Sequence, residues 1–234
     1  RRPGPYRLGS MEAFFDNIDR VIDGFSWTVR LTLFSALFSF LLGVLLTAMR
    51  VSPVALLRGV STVYVETVRN SPLTLVLLFC GLGLNSALGL SLSGTVAWDV
   101  FWWAVIGLSA YTSCFVSESL RSGINTIPLG QAEAARALGL TFTQSLRLII
   151  IPQALRTVIG PLGSVLIALI KNTTVASVAG LGVQEASRQM KLMFDQGIAP
   201  VLPTFVGFAI GFLVLTLPVG YLFSWLSKRM AVAR

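Results

Sequence analysis

The sequence predicts an all-α membrane protein that crosses the bilayer about five times. Of its 234 residues, 54% are apolar and only 12% are charged, whereas a soluble domain carries about 25% charged residues. The apolar residues fall in runs long enough to cross the hydrocarbon core, which takes about 20 residues per helix. Within these runs the periodicity is helical or apolar all round, unlike the ten-residue alternation of a membrane β-barrel.

Five segments qualify as spans, at residues 27–49, 60–84, 99–120, 157–179 and 201–226. They predict an N-terminal segment (1–26), a transmembrane domain (27–226) and a tail (227–234). The first ten residues are rich in Pro, Gly and Arg and do not form a signal peptide. They are either a native tail or an expression remnant.

The distribution of basic residues predicts the orientation, because an odd number of spans places the termini on opposite sides. With the C-terminus inside, nine basic residues lie in inner loops and the tail: Arg50, Arg58, Arg121, Arg136, Arg147, Arg156, Lys228, Arg229 and Arg234. From Met11 onward four lie outside: Arg20, Arg30, Arg188 and Lys191. The positive-inside rule therefore predicts an extracellular N-terminus and a cytoplasmic C-terminus.

Composition argues against several function classes. The formal charge of +8 does not indicate nucleic-acid binding, since the basic residues are spread over loops between apolar runs. There is no histidine, and Cys80 and Cys114 lie inside apolar runs, which argues against a zinc site or a disulfide framework. The sequence has no P-loop motif for ATP phosphates. We expect no enzymatic activity and no cofactor in this chain.

A polar loop at about 126–145 separates the third and fourth spans. Pro128 suits the first turn of a helix, Ala-rich residues 131–138 favour its continuation, and Gly139 suits the left-handed position that ends it. Thr141 and Gln144 then form the pattern of a capping box. The loop is predicted to be a two-turn helix, a sharp turn and a second helix that returns to the membrane.

The spacing of this loop resembles the cytoplasmic coupling loop of ABC-importer permeases. That pattern reads E-A-A, three residues, Gly, nine residues, Ile, one residue and Leu-Pro. The chain matches it from Glu133 to Pro152, with Ile151 in place of Leu. The resemblance implies that an ATPase acts on Ala132, Glu133, Ala134, Ala135, Arg136 and Gly139.

Other stretches resemble permease subunits of polar-amino-acid ABC importers, the histidine, glutamine and glutamate type. They are residues 68–73 (VRNSPL), 118–124 (ESLRSGI) and 169–174 (LIKNTT), with an outer amphipathic helix at 183–194. Residues 69–75 and 118–126 are most similar to actinobacterial glutamate importer permeases. Gly207 and Gly211 form a small-xxx-small pattern that permits contact with a partner permease or close packing in general.

The resemblance implies a complex in the bacterial plasma membrane. Two permease subunits, paralogous or identical, would pair above two ATP-binding subunits that hold ATP and magnesium. An extracellular binding protein would deliver the substrate, which is expected to be glutamate or another acidic or polar amino acid.

Charged residues inside spans are costly and usually functional. The candidate substrate-path residues are the polar positions of spans two to four: Arg69, Asn70, Ser71, Thr74, Ser113, Lys171, Asn172 and Thr173. Arg69 alternatively pairs with Glu66, and Lys171 alternatively extends towards the membrane surface. Glu118 and Arg121 are predicted to form a structural ion pair at the inner end of span three.

Two other functions are compatible with the sequence. An ion-coupled secondary transporter or channel would need no ATPase, but it predicts an inverted repeat or a mid-membrane acid, and the sequence shows no clear repeat. A structural membrane scaffold would need no transport path, and Arg69, Pro72 and Lys171 argue against it.

Overall fold

The computed structural model describes residues 12–179 and 181–230, and this part of the chain is helical without β-strands. The helices are α1 (Glu12–Phe15), α2 (Ile18–Val51), α3 (Ala55–Arg69), α4 (Leu73–Leu78), α5 (Val96–Asn125), α6 (Leu129–Ala137), α7 (Phe142–Ser145), α8 (Ile151–Val178), α9 (Ala186–Asp195) and α10 (Val201–Met230). Two π-helical segments, Phe79–Ala87 and Leu146–Ile150, continue α4 and join α7 to α8. The predicted all-α class is confirmed. Residues 1–11 and 231–234 of the predicted terminal segments lie outside the described residues.

Four continuous helical stretches are long and apolar enough to cross a membrane: Ile18–Val51, Val96–Asn125, Phe142–Ser177 and Val201–Met230. The first begins nine residues before the predicted start at 27, and the third begins fifteen before the predicted start at 157. Charged residues such as Asp19 and Arg147 suggested loops, but they extend the helices instead. A helix of 34 residues is about 51 Å long, well beyond a hydrocarbon core of about 30 Å.

The predicted second span, 60–84, is not one straight helix. Ala55–Arg69 and Leu73–Ala87 meet at an angle of 102°. Pro72 has no N–H to donate and occupies the N-cap of α4, and the residue before a proline is disfavoured in helical conformation. The number of spans is therefore four, or five if this bent pair forms one span.

The chain forms two compact units, each with its own buried cluster. The first unit comprises the described parts of residues 1–35, 72–108 and 169–217. Its core contains Phe14, Val21, Ala186, Met193, Ala199 and Phe208. The second unit comprises the described parts of residues 36–71, 109–168 and 218–234. In that unit Leu46, Val65 and Cys114 form a buried cluster.

Gly207 and Gly211 pack within the chain, on aromatic rings of the first unit. A Cβ atom on Gly207 would overlap the ring of Phe14, and one on Gly211 would overlap the ring of Phe25. The pattern therefore permits close packing of α10 on α2 and α1, which differs from contact with a second permease. The periodicity of the two glycines shows only that a close approach occurs, not which surface approaches.

Gly163 permits a similar close approach of α8 to α10 in the second unit. The substitution Gly163→Ala is therefore expected to lower the stability of the protein. Its new Cβ would overlap Phe223 at the Cβ atom, which cannot rotate away. We expect a loss of about 2 kcal/mol, typical of overpacking, measured by thermal unfolding in detergent. Gly160→Ala is the matched control on the same helix, because its Cβ would meet only Ser227 Oγ at 3.6 Å. Equal melting temperatures for the two variants would contradict this packing.

Candidate functional site

The polar loop contains a helix, α6, whose C-terminus is closed by a complete turn motif. Pro128 is its N-cap, immediately before Leu129–Ala137 rather than within the first turn. Gly139 has φ +77°, a conformation that is strained for other residues. The N–H of Leu140 donates to the carbonyl of Ala135 at 3.1 Å, the long hydrogen bond of a Schellman motif. Gly139 was predicted to be the left-handed residue that ends this helix, and that prediction is confirmed.

The return to the membrane begins with a reciprocal capping box. Gln144 N donates to Thr141 Oγ1 at 3.3 Å, and Thr141 N donates to Gln144 Oε1 at 2.8 Å. Helix α7, the π-helical segment Leu146–Ile150 and α8 follow without a break. The predicted helix–turn–helix is therefore present, and its second helix is continuous with a membrane span.

One face of α6 is anchored and the rest is exposed. Ala135 is buried, and the side chain of Gln131 accepts a hydrogen bond from Gln153 at the start of α8. Ala132 is half-buried, and the exposed positions are Glu133, Ala134, Arg136, Ala137, Leu138 and Gly139. Among the described residues no ion pair joins Glu133 to Arg136 within 4.0 Å. Both charges are therefore free to meet a partner.

Glu118 lies at the centre of a charge cluster in the second unit. It accepts a hydrogen bond from Arg121 Nη2 at 2.8 Å and another from Arg50. Arg69 Nη1 lies 3.7 Å from Glu118 and its Nη2 lies 3.1 Å from Glu66. Arg50 also lies 3.6 Å from Glu66. The cluster connects the C-terminal parts of α2, α3 and α5.

Sequence reasoning missed Arg50, which it assigned to an inner loop. The structure places Arg50 in the last turn of α2, with only 9% of its side chain exposed. An arginine in that position needs acidic partners because a desolvated charge is costly when unpaired. In the sequence, Arg50 is simply an arginine at the end of an apolar run, and basic residues in loops follow apolar runs in the same way.

The polar candidates of the second unit bond mainly to their own helices or turns. Asn70 Nδ2 donates to the Glu66 carbonyl at 2.7 Å. Ser71 Oγ donates to Thr67 O and Ser113 Oγ to Ala110 O, both at 2.8 Å. Arg69 is engaged by carboxylates, yet its side chain stays 35% exposed. It is the member of this group with an accessible charge.

The other candidates belong to the first unit. Lys171 and Thr74 are exposed, Asn172 is half-buried, and Thr173 is fully buried with its hydroxyl on the carbonyl of Ile170. Lys171 therefore offers an accessible cation, whereas Thr173 serves packing of α8. No residue of this group is tied to an acid among the ion pairs of the described chain.

Glu185 is a fully buried acid whose structural role was also not predicted. It is the N-cap of α9 and accepts hydrogen bonds from the backbone of Ser187 and Arg188. The Ser187 hydroxyl reaches the Thr174 carbonyl at 3.3 Å. These bonds attach α9, close to the predicted amphipathic segment 183–194, to the polar end of α8.

Over residues 19–232 the chain matches the family described as binding-protein-dependent transport system inner membrane component. The chain belongs to this family. It is accordingly an inner-membrane permease subunit. Membership implies an ATP-binding subunit and a substrate-binding protein as partners. The predicted resemblance to ABC-importer permeases is thereby confirmed.

Individual relatives and a solved structure agree with the family. The chain is 52% identical to the glutamate transport system permease protein GluC of Corynebacterium efficiens, over 92% of this chain and 95% of the relative. It is 36% identical to the probable glutamine ABC transporter permease protein GlnM of Bacillus subtilis, over 94% and 98%. A crystal structure of an amino acid ABC transporter with histidines superposes with a TM-score of 0.84 at 27% identity, over 95% of this chain and 99% of that chain.

The cluster at Glu118 predicts that Arg50→Met strongly lowers the stability of the permease. The substitution keeps the bulk of the side chain but leaves two carboxylates with one cation fewer, which we expect to cost about 3 kcal/mol. Thermal unfolding of the detergent-solubilised protein measures the loss. Arg156→Met is the control, because Arg156 is exposed and forms no ion pair within the described residues. A shift no larger than that of the control would contradict a stabilising role for Arg50.

Proposed function

We propose that this permease subunit imports an amino acid, glutamate or a similar acidic or polar one, with energy from ATP hydrolysed by its partner. The observation that carries the proposal is α6: an exposed, capped helix built into a continuous connection between two spans. The similarity to a glutamate permease at 52% identity supports the substrate class.

In this proposal the chain contributes no catalytic group. ATP and magnesium bind to a pair of ATP-binding subunits, and a second permease subunit, paralogous or identical, completes the membrane part. With the C-terminus in the cytoplasm, as the basic residues predict, α6 faces these ATP-binding subunits. An extracellular binding protein delivers the amino acid on the opposite side.

Two connections carry a displacement of α6 into the membrane helices. Towards the C-terminus, Gln131 holds α6 to Gln153, and the capped turn leads into α8. Towards the N-terminus, α5 ends at Asn125, seven residues after Glu118. The Glu118 cluster extends that connection to α2 and α3. Packed helices that move as rigid bodies are a common means of switching between two states.

Accessible cations support an acidic substrate. The Glu118 cluster contains three guanidinium groups, Arg50, Arg69 and Arg121, and two carboxylates, so its formal charge is +1 (three minus two). Arg69 and Arg121 are partly exposed, and the two acidic partners of Arg69 are at 3.1 and 3.7 Å. Substrate carboxylates form charge-assisted hydrogen bonds with such groups. Lys171 offers a second exposed cation in the other unit.

The coupling role predicts that Gly139→Pro uncouples ATP hydrolysis from the binding protein. Proline requires φ near −65°, whereas Gly139 has φ +77° and its N–H donates to Arg136 O at 2.9 Å. We expect binding-protein stimulation of ATPase activity to fall at least about tenfold, equivalent to about 1.4 kcal/mol, with basal hydrolysis retained. The assay uses the assembled complex in proteoliposomes, and Glu133→Ala should also weaken stimulation.

Gly130→Ala is the matched control within α6, because a Cβ there meets open space and φ is not positive. It should behave as the native chain does. Unchanged stimulation in both Gly139→Pro and Glu133→Ala would exclude α6 as the coupling element. Uptake that proceeds without any ATP-binding subunit would favour the ion-coupled transporter instead.

Competition for uptake tests the substrate class. We expect unlabelled glutamate and aspartate to displace labelled glutamate at lower concentration than glutamine does, and arginine to displace it least, because the accessible groups are cationic. Arg69→Gln should weaken glutamate uptake by about tenfold, the effect of one charged hydrogen bond. A preference for arginine would contradict the role given to Arg69 and Lys171.

A further inference from the structure

An apolar groove opens on the surface of the second unit, between α2, α5 and the start of α8. Its lining includes Phe40, Ala48 and Val51 of α2, Ile124 of α5, and Leu146 and Leu155 of the returning segment. The enclosed part has a volume of about 200 Å³. Ala154 and Val158 form a buried floor, whereas Phe40 and Leu155 keep 44% and 46% of their surface exposed. The groove therefore accepts a slender apolar ligand from the side.

The single hydroxyl in the lining is already satisfied. Thr47 Oγ1 bonds to the carbonyl of Gly43 at 2.8 Å and to Ser117 Oγ at 3.2 Å. It offers no free donor to a polar ligand, so the groove is suited to a hydrocarbon chain. A polar substrate in transit would lose its hydration there without replacement.

The groove runs along the helices for the depth of one leaflet. Helices α2 and α5 are parallel here, since Gly43 packs on Val116 and Arg50 bonds to Glu118. From Phe40 to Val51 the rise along α2 is about 16 Å. Half of a hydrocarbon core is about 15 Å. The groove thus matches the length of an acyl chain in one leaflet.

An exposed arginine, Arg147, lies at one end of the groove. After the connection at 126–141 the chain returns along α5. Leu146, at the start of this returning segment, lines the same groove as Val51 and Ile124, the residues near the ends of α2 and α5. Arg147 follows Leu146 and is exposed, with no carboxylate within 4.0 Å among the described residues.

Arg58 adds positive charge at this end. Its guanidinium donates to the carbonyls of Ser52 and Pro53, at 2.9 and 2.8 Å, directly after Val51. The end of the groove at Val51 and Leu146 is therefore cationic.

We propose that this groove binds one acyl chain of an anionic glycerophospholipid whose phosphate group pairs with Arg147. The apolar lining takes the chain, and Arg147 and Arg58 select an anionic headgroup over a zwitterionic one. The lining contains none of the residues proposed to contact the substrate or the ATP-binding subunit. The lipid site does not depend on which amino acid is carried.

The test measures lipid retained by the purified transporter complex. The complex is exchanged into nanodiscs of equal parts phosphatidylglycerol and phosphatidylcholine, extracted in mild detergent and examined by native mass spectrometry. We expect phosphatidylglycerol to be retained over phosphatidylcholine by the native chain. Arg147→Gln should reduce that retention by about tenfold, the effect of one charged hydrogen bond.

Filling the groove is an independent variant with a matched control. Ala48→Trp places an indole in the groove and should abolish retention, whereas Leu45→Trp changes an exposed α2 residue outside the lining and should not. Arg156→Gln is the charge control on α8. If Ala48→Trp lowers the melting temperature, retention of phosphatidylglycerol by the Arg147→Gln variant alone decides whether the groove binds this lipid.

Equal retention of the two lipids by the native chain would overturn the proposal. Native-like retention of phosphatidylglycerol in Arg147→Gln would do the same. So would a photo-cross-linker at Ala48 that reacts with a protein subunit in place of lipid, because the groove would then be a subunit interface.

Discussion

Glu118 forms ion pairs with three arginines at the ends of helices, where an unpaired charge would be destabilising. Arg50 comes from α2, Arg69 from α3, and Arg121 from α5 itself. Each arginine needs a carboxylate because it lies in or beside a membrane-spanning helix, and each carboxylate is shared because there are only two. The position of one helix end therefore constrains the other two. The connection from α5 to α6 is short, so under the proposed coupling a displacement of α6 would act on this cluster.

Local chemistry explains why the helix–turn–helix could be predicted from sequence alone. Gly139 and the Thr141–Gln144 pair satisfy backbone groups within five or six residues of themselves, so their roles need no knowledge of the rest of the fold. Pro72 also acts locally, through its own ring and its missing N–H, although the span at 60–84 was predicted as one segment. The length and apolar character of the spans likewise follow from the bilayer.

Features that depend on distant residues could not be predicted in this way. Arg50 resembles any basic residue at the end of a span until Glu118, 68 positions later, is placed beside it. The angle of 102° at the break could not be predicted, since a proline shows only that a helix ends. Gly207 and Gly211 indicate a close approach, but only the structure shows that Phe14 and Phe25 occupy the space. Charged residues near helix ends also caused the predicted starts of the first and fourth spans, 27 and 157, to fall too late in the sequence.

The central claim is that the exposed face of α6 is the surface on which the ATP-binding subunit acts. Cross-linking from a cysteine at position 136 tests it most directly, because Arg136 is exposed on α6 and the native Cys80 and Cys114 are both buried. In membranes that contain the whole complex, a thiol cross-linker on Arg136→Cys should join this chain to the ATP-binding subunit. A cross-link to the extracellular binding protein, or labelling of that cysteine by a membrane-impermeant thiol reagent in intact cells, would contradict the account.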